Sequence, residues 1–194
     1  MKLLIQVIGF AAAGYCLIGT ALYLFQEKML FFPMGSPFGN CPAMRQYQAK
    51  ALTRSGLRYY QQTSVKAKAH VIVYHGNAGN ACDRAYFFDL LNGLDVNIIL
   101  FEYPGYGKDG NRPGEKLILE QAAKMAEEIK AGDSDQLPVF LLGESLGTGV
   151  ATWVAGQADI TGLILISAYT SIADVAQAHY PWLPVRYLLK HPFR

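Results

Sequence analysis

A serine between two glycines is the part of the sequence best suited to covalent chemistry. Gly143-Glu144-Ser145-Leu146-Gly147 stands where an apolar stretch ends and a helical pattern begins. A turn this tight needs small residues beside the serine, and its strain lifts the hydroxyl above the sheet at a helix N-terminus. A developing oxyanion would then lie near the positive end of the helix dipole. We therefore predict Ser145 as a nucleophile, with a simple helix-capping serine as the alternative.

A second glycine-rich segment could complete such a site. His75-Gly76-Asn77-Ala78-Gly79-Asn80 follows the first buried strand of the pattern. Acyl transfer needs two backbone N–H groups for the oxyanion, one from the residue after the nucleophile and one from a loop of this kind. We expect the amides of Asn77 and Leu146 to form this oxyanion hole. His75 is expected to be structural, because a histidine at a strand end usually orients the loop by hydrogen bonding.

The remaining motifs do not indicate a cofactor or a metal. Residues 105–110 fit the dinucleotide pattern G-x-G-x-x-G, but Asn111, Arg112 and Pro113 follow where the phosphate-binding helix should already run. The sequence contains no H-E-x-x-H, C-x-x-C or Walker pattern, and its four histidines lack the spacing of metal ligands. We therefore expect neither a cofactor nor a metal site.

Composition narrows the class of protein. The chain has 194 residues, of which 52% are hydrophobic and 16% charged, with 17 Lys and Arg against 15 Asp and Glu. This length suits one domain, and the even charge balance argues against nucleic acid as a partner, because that requires a concentrated basic face. The three cysteines indicate neither a disulfide framework nor a zinc site. At most Cys41 and Cys82 could pair, if the domain lies in an oxidising compartment.

The N-terminus carries a long apolar stretch. From Leu3 to Phe25 no residue is charged, and at a rise of about 1.5 Å per residue the stretch spans roughly 34 Å, against about 30 Å for a membrane's hydrocarbon core. We predict a transmembrane anchor over residues 1–27. A cleaved signal peptide is the alternative, although its apolar region is usually only about 7 to 15 residues long. Lys2 precedes the stretch and the charges after it cancel, which places the domain on the non-cytoplasmic side.

The rest of the chain alternates between two patterns. Residues 28–47 are rich in proline and glycine and predict a linker, followed by a domain over residues 48–194. Continuously apolar strands that alternate with helices are typical of a parallel sheet buried on both faces. The predicted fold class is therefore α/β, a mostly parallel sheet with flanking helices, and one or two antiparallel strands are expected within residues 48–64. The strands are predicted at residues 70–74, 96–103, 139–142 and 162–166, and the helices at 81–94, 115–131, 147–157 and 171–179.

Four blocks of the sequence carry a resemblance: HGNAGN (75–80), FEYPGYG (101–107), GESLG (143–147) and the stretch 171–189. Together they resemble the α/β-hydrolase superfamily and, within it, the BEM46-like group with its ABHD13- and ABHD17-type membrane-anchored serine hydrolases. The resemblance implies Ser145 as nucleophile, Asn77 and Leu146 as oxyanion hole, and acyl ester or thioester substrates. These would be small molecules, lipids or acylated proteins, and the oligomeric state stays open.

The chain departs from this family after its sixth predicted strand. In the family the acid of the catalytic triad follows the seventh strand and the histidine the eighth, but only 49 residues follow Ser145 here. We therefore expect a partial hydrolase domain that lacks the last strands and the triad's acid and histidine. Asp174 with His179 or His191 could substitute, although an exposed or capping carboxylate suits Asp174 better. A catalytically inactive fold that binds lipid or protein is the alternative function.

Overall fold

The protein is built on one six-stranded sheet. The computed structural model describes residues 1–193. The strands lie in the order β1-β2-β4-β3-β5-β6, in which β3 pairs in parallel with β4 and β5, and β5 with β6, while β1 and β2 are antiparallel. The mostly parallel α/β fold is therefore confirmed. The strands are β1 (Lys50–Arg54), β2 (Leu57–Gln62), β3 (Ala69–Tyr74), β4 (Val96–Glu102), β5 (Val139–Glu144) and β6 (Gly162–Ile166).

Helices cover both faces of this sheet. On one face Ile72 and Tyr74 of β3 pack in a core with the helices over residues 115–131 and 146–155. On the other face Val71 and Val73 pack with Phe87. This division explains why the central strands are apolar at every position. The helices are α1 (Lys2–Leu30), α2 (Pro42–Gln46), α3 (Tyr86–Leu90), α4 (Glu115–Ala131), α5 (Leu146–Ala155), α6 (Ile172–His179) and α7 (Val185–Leu188).

The predicted helix over residues 81–94 is wrong in extent. A 3-10 helix at Ala81–Arg84 precedes the five-residue α3, and the chain then turns through Gly93 at φ 82°. Asn80 and Asp83 form a reciprocal capping box around the short 3-10 turn. Within the same turn Cys82 forms a disulfide with Cys41, so the pairing that the sequence left conditional is present.

Helix α1 stands beside the domain rather than inside it. It is long and apolar enough to cross a membrane, and none of its described residues is buried. Its second half lies against the C-terminal segment. The Tyr15 hydroxyl donates to the carbonyl of Trp182 (3.0 Å), and the Gln26 side chain donates to Leu188 (3.1 Å) and accepts from the Lys190 amide (2.7 Å).

Strand β6 forms one edge of the sheet. Within residues 1–193 it pairs with β5 alone. Leu163, Ile164 and Leu165 are 38 to 42% exposed although they belong to an apolar strand. Exposed apolar edges of this kind are usually covered in natural proteins.

Candidate active site

Ser145 occupies a strained turn between β5 and α5. Its φ of 50° and ψ of −117° lie outside the regions that non-glycine residues commonly adopt. A side chain on Gly143 would overlap Thr148, and one on Gly147 would overlap the carbonyls of Tyr74 and His75. The two glycines are therefore required by close backbone packing, as the sequence motif predicts.

The turn is fixed from both sides. The Ser145 amide donates to the carbonyl of Ile166 at the end of β6 (2.9 Å), and the Ser145 carbonyl accepts from the amide and hydroxyl of Thr148 (2.8 and 2.7 Å). The Ser145 side chain is exposed and makes no capping hydrogen bond to α5. Helix capping therefore does not account for this serine.

The loop after β3 lies directly against Ser145. A Cβ atom on Gly76 would stand 3.5 Å from the Ser145 Cβ, and Asn77, Ser145 and Leu146 line the same cavity. The Leu146 amide is at the first position of α5, where an N–H has no acceptor within the helix. The structure thus brings together the three residues that the sequence selects.

Two buried tyrosines donate hydrogen bonds to the backbone of this loop. The Tyr103 hydroxyl donates to the carbonyl of His75 (2.8 Å), and the Tyr106 hydroxyl donates to the carbonyl of Asn77 (2.7 Å). Burial raises the pKa of both phenols, so both keep the proton that they donate. Sequence analysis found these residues only as part of the FEYPGYG block and gave them no role.

The end of α1 and the residue pair after it are bonded to the same loop. The Asn77 side-chain amide donates to the Leu30 carbonyl (3.1 Å). The Phe32 amide donates to Asn77 and its carbonyl accepts from Gly79, both at 3.1 Å. The N-terminal helix therefore ends on the loop that faces Ser145, a connection that the linker prediction did not include.

An ion pair joins the two glycine-rich segments. Arg84 Nε lies 2.8 Å from Glu144 Oε2, and its guanidinium also donates to the carbonyl of Ala78 (2.9 Å). Glu144 immediately precedes Ser145. Arg84 thus ties the loop after β3 to the turn after β5, and sequence analysis missed it because the partners are 60 residues apart.

His75 and Glu102 form a buried pair behind the loop. Their Nε2 and Oε1 atoms are 3.9 Å apart, which is too far for a hydrogen bond. Burial lowers the pKa of His75 to about 3 and raises that of Glu102 to about 8, so both groups are neutral at pH 7. His75 Nδ1 donates to the Gly76 carbonyl (2.7 Å), and its ring stacks on Tyr103. This position suits the orienting role predicted for His75.

The candidate substitutes for a triad are not assembled. Asp174 accepts from Thr170 and pairs with Arg186 (2.6 Å), close to its predicted capping position at the start of α6. His191 lies 3.7 Å from Glu27, away from the Ser145 cavity. His179 lines that cavity, but within residues 1–193 no carboxylate is bonded to it.

The cavity beside Ser145 has a volume of about 520 Å³ and mainly apolar walls. It lies between α1, the turn at Ser145 and the segment from α6 to α7. A polar reactive group at one end of an apolar cavity suits a ligand with a carbonyl head and a hydrocarbon tail.

Other candidate ligand sites are not supported by geometry. In the part of the chain that the structure describes, no three His, Cys, Asp or Glu side chains could hold a metal ion together. Residues 105–110 form a turn in which Asp109 accepts from the Gly105 amide (2.9 Å) and pairs with Arg58 (2.8 Å). The next helix begins only at Glu115, so the arrangement of a dinucleotide site is not formed.

Comparison with known proteins settles the family. The model of the family described as serine aminopeptidase, S33, matches residues 65–191. The chain belongs to the α/β-hydrolase superfamily. This hydrolase is also 35% identical over 195 residues to an uncharacterised protein of Mycobacterium tuberculosis (strain CDC 1551 / Oshkosh), covering 95% of this chain and 67% of that protein.

Further relatives match the hydrolase over shorter ranges. The lysophosphatidylserine lipase ABHD12 of Macaca fascicularis is 31% identical over 128 residues, which cover 62% of this chain and 32% of the lipase. The chain thus spans about two thirds of the mycobacterial protein, and the match reaches about one third of ABHD12. The fold resembles a carboxyl esterase from Bacillus coagulans, with a TM-score of 0.51 at 22% identity over 61% of this chain and 43% of the esterase.

Proposed function

We propose that this α/β-hydrolase is a membrane-anchored serine hydrolase that cleaves acyl esters or thioesters, with Ser145 as its nucleophile. The observation that carries the proposal is the strained, exposed Ser145 at the end of an apolar cavity. Strained backbone of this kind concentrates at catalytic positions. The loop with Asn77 lies beside it, where an oxyanion hole belongs.

The proposed reaction has two steps. Ser145 Oγ attacks the acyl carbonyl carbon and gives its proton to a base, and the Asn77 and Leu146 amides donate to the resulting oxyanion. The bond to the leaving oxygen or sulfur then breaks, and the leaving group takes the proton from the base. Water, deprotonated by the same base, attacks the acyl-serine and releases the carboxylic acid and free Ser145.

The base and its acid partner need a separate source. Among residues 1–193 no histidine paired with a carboxylate lies at Ser145. We propose that polypeptide pairing with the free edge of β6 supplies them, since the Ser145 amide is itself bonded to the end of β6. The apolar, half-exposed Leu163 to Leu165 support a strand on this edge.

The substrate class follows from the cavity and the relatives. Its apolar walls suit an acyl chain, and the relative ABHD12 is named a lysophosphatidylserine lipase. Lipid esters are therefore the proposed substrates, ahead of acylated proteins. Membership of the BEM46-like group remains part of the proposal.

The proposed location is a single N-terminal span with the domain on the non-cytoplasmic side. The bonds from Tyr15 and Gln26 to the C-terminal segment favour a retained helix over a cleaved signal. The disulfide between Cys41 and Cys82 favours an oxidising compartment. Protease added to intact cells should digest the domain, and digestion only after permeabilisation would contradict this topology.

A fluorophosphonate probe on membranes that contain the full chain tests the reaction. We expect labelling of the unaltered protein, no labelling of Ser145→Ala, and unchanged labelling of Ser167→Ala. Ser167 is the matched control because it lines the same cavity at a positive φ of 57°. Folded protein that takes no label would instead favour the alternative function, a fold that binds lipid or protein.

A further inference from the structure

Helix α1 forms a wall of the cavity that holds Ser145. Its pocket-facing residues run along one side of the helix from Gly19 to Leu30, at positions 19, 22, 23, 26, 29 and 30, which is the spacing of one helical face. The opposite wall comes from the segment that runs from α6 to α7, including Val175 and Ala176 of α6 and Leu183 after it. The proposed anchor is therefore also part of the proposed substrate site.

The position of these cavity-facing residues along α1 sets the depth of the cavity in a membrane. The uncharged stretch Leu3–Phe25 needs roughly 34 Å and so fills the hydrocarbon core of about 30 Å when the helix spans a membrane. Tyr15 then lies near the bilayer centre. Because Tyr15 is bonded to Trp182, the cavity wall between α6 and α7 reaches the same depth.

Contacts nearer the domain agree with this depth. A Cβ atom on Gly19 would stand 3.7 Å from Leu183, so α1 and the C-terminal segment touch within the apolar stretch. Trp182, half exposed, and Val175, 39% exposed, present apolar surface there. Water would be a poor solvent for these side chains, whereas lipid tails would not.

Charged groups begin where the apolar stretch ends. Glu27 pairs with Lys190 at 3.8 Å, and Lys28 occupies the last turn of α1. Charged and amphipathic residues gather at the level of lipid headgroups. The cavity thus lies between a headgroup-level charged layer and the apolar interior.

From this geometry we infer that the cavity is an acyl-chain subsite open to the bilayer, in which the tail of a membrane lipid lies between α1 and the α6–α7 segment. The inference rests on the proposed function, because it places the lipid's ester carbonyl at Ser145. The substrate then moves sideways from the membrane into the site. The volume of about 520 Å³ lies within the range of about 300 to 1,000 Å³ for small-molecule sites.

A photoreactive lipid tests the subsite whether or not Ser145 is reactive. The full chain with Ser145→Ala is reconstituted in phosphatidylethanolamine and phosphatidylglycerol vesicles with a 16-carbon acyl ester that carries a terminal diazirine. We expect cross-links on the pocket face of α1 near Leu22 and on α6 near Val175. Cross-links that favour the opposite face of α1 around Leu24, or none on α1 and α6, would overturn the inference.

Chain-length selectivity provides a second measurement. Labelling rates with hexadecyl and ethyl fluorophosphonate are compared for Leu22→Trp, Ala176→Phe and the control Leu24→Trp, whose side chain is 62% exposed on the other face of α1. Both pocket variants should lower the hexadecyl-to-ethyl ratio about tenfold, and the control should keep it. An unchanged ratio in both pocket variants would overturn the subsite.

The two measurements separate this inference from the function on which it rests. Absence of labelling by either fluorophosphonate, with cross-links on α1 and α6, would contradict the hydrolase and support the lipid subsite. Labelling of Ser145 without those cross-links would support the hydrolase and contradict the subsite.

Discussion

The turn at Ser145 and the α1 wall enclose the same cavity but are built differently. At the turn, backbone atoms approach so closely that no side chain fits on Gly143 or Gly147, and hydrogen bonds with Ile166 of β6 and Thr148 of α5 fix the serine. Along α1, hydrogen bonds from Tyr15 and Gln26 join the helix to the C-terminal segment, the side that faces the cavity is mainly apolar, and no described residue of the helix is buried. One region is rigid at the level of single atoms, whereas the other presents a hydrocarbon surface.

Under the proposed function, this difference assigns the chemistry to the turn and the selection of substrates to the α1 wall. A nucleophile and its oxyanion donors must be held in nearly one geometry, because misplacement by about 1 Å can cost a hundredfold in rate. An acyl chain has no polar atoms to align, so an apolar wall suffices. Substitutions at the turn should therefore affect every substrate, and substitutions on the wall should affect long chains selectively.

The largest effect on the labelling of Ser145 is expected at Gly147. In Gly147→Ala the added methyl group would meet the carbonyl oxygens of Tyr74 and His75, and overpacking of this kind costs about 1 to 3 kcal/mol or more. We expect a lower thermal midpoint and no fluorophosphonate labelling. Gly156→Ala is the control, because a methyl group there would find its nearest neighbour at 3.4 Å. Equal melting of both variants would contradict close packing at the turn.

The disulfide between Cys41 and Cys82 lies on the face of the sheet opposite α4 and α5. It joins α2 to the 3-10 turn that follows the loop beside Ser145. Replacing Cys41 and Cys82 together by alanine should cost about 2 to 4 kcal/mol, the usual contribution of a disulfide, as measured by urea unfolding. Cys16→Ala, at an exposed free cysteine, should leave the urea midpoint unchanged. If the double variant unfolds like the unaltered protein, the disulfide does not stabilise the domain.

The Arg84–Glu144 pair is expected to have an intermediate effect. Arg84→Met removes hydrogen bonds to Glu144 and Ala78 from a largely buried guanidinium, and hydrogen bonds to charged groups contribute about 1.5 to 3 kcal/mol. Labelling of Ser145 should slow about tenfold, because a shift of about 1.4 kcal/mol in the barrier corresponds to that factor. Lys68→Met, in an exposed pair with Asp95, is the control. Labelling of Arg84→Met at the rate of the unaltered protein would show that the Arg84–Glu144 pair does not position Ser145.

The smallest effect concerns pH. The pKa of Glu102 is about 8 in the folded protein and 4.5 in the unfolded chain. The folded state therefore binds the proton more tightly, and stability falls as pH rises from 4.5 to 8. His75, with a folded pKa of about 3 against 6.5, makes stability rise from pH 3 to 6.5. The two slopes oppose each other between pH 4.5 and 6.5, and a net loss of at most about 1.4 kcal/mol per pH unit follows above pH 6.5.

Glu102→Gln tests this pH dependence. Removing the carboxyl should abolish the loss of stability between pH 6.5 and 8 and uncover a rise between pH 4.5 and 6.5. Urea midpoints across this range provide the measurement. A loss above pH 6.5 that persists in Glu102→Gln would assign it to another group.

The elements that sequence patterns predicted best are those with a strong period. Residues 115–131 and 162–166 are a helix and a strand with the predicted bounds, because amphipathic spacing and a continuous apolar run each have one simple structural solution. The antiparallel strands within residues 48–64 are also present. The predicted helix at 81–94 is shorter because the segment begins as a 3-10 turn at Ala81–Arg84 and leaves the helix before Gly93, whose positive φ ends it.

The site was predictable only where its residues are neighbours in the chain. Ser145 and Leu146 stand in one motif, and Asn77 stands in another. The Arg84–Glu144 pair and the links from Tyr106 and Phe32 to Asn77 join residues far apart in sequence. The spacing of residue types along the chain does not reveal such pairs, because the neighbouring positions of β3, β4 and β5 in the sheet bring them together.

The most direct test of the account is to identify the atom that a lipid-like inhibitor modifies. Membranes of cells that make the full chain, which also hold any polypeptide paired with β6, are treated with hexadecyl fluorophosphonate, and fragmentation mass spectrometry assigns the phosphonylated residue. We expect one modification, on Ser145, and its loss at limiting probe concentration when Leu22→Trp closes the acyl-chain subsite. Modification of Ser167 instead, or folded protein without any phosphonylated serine, would contradict it.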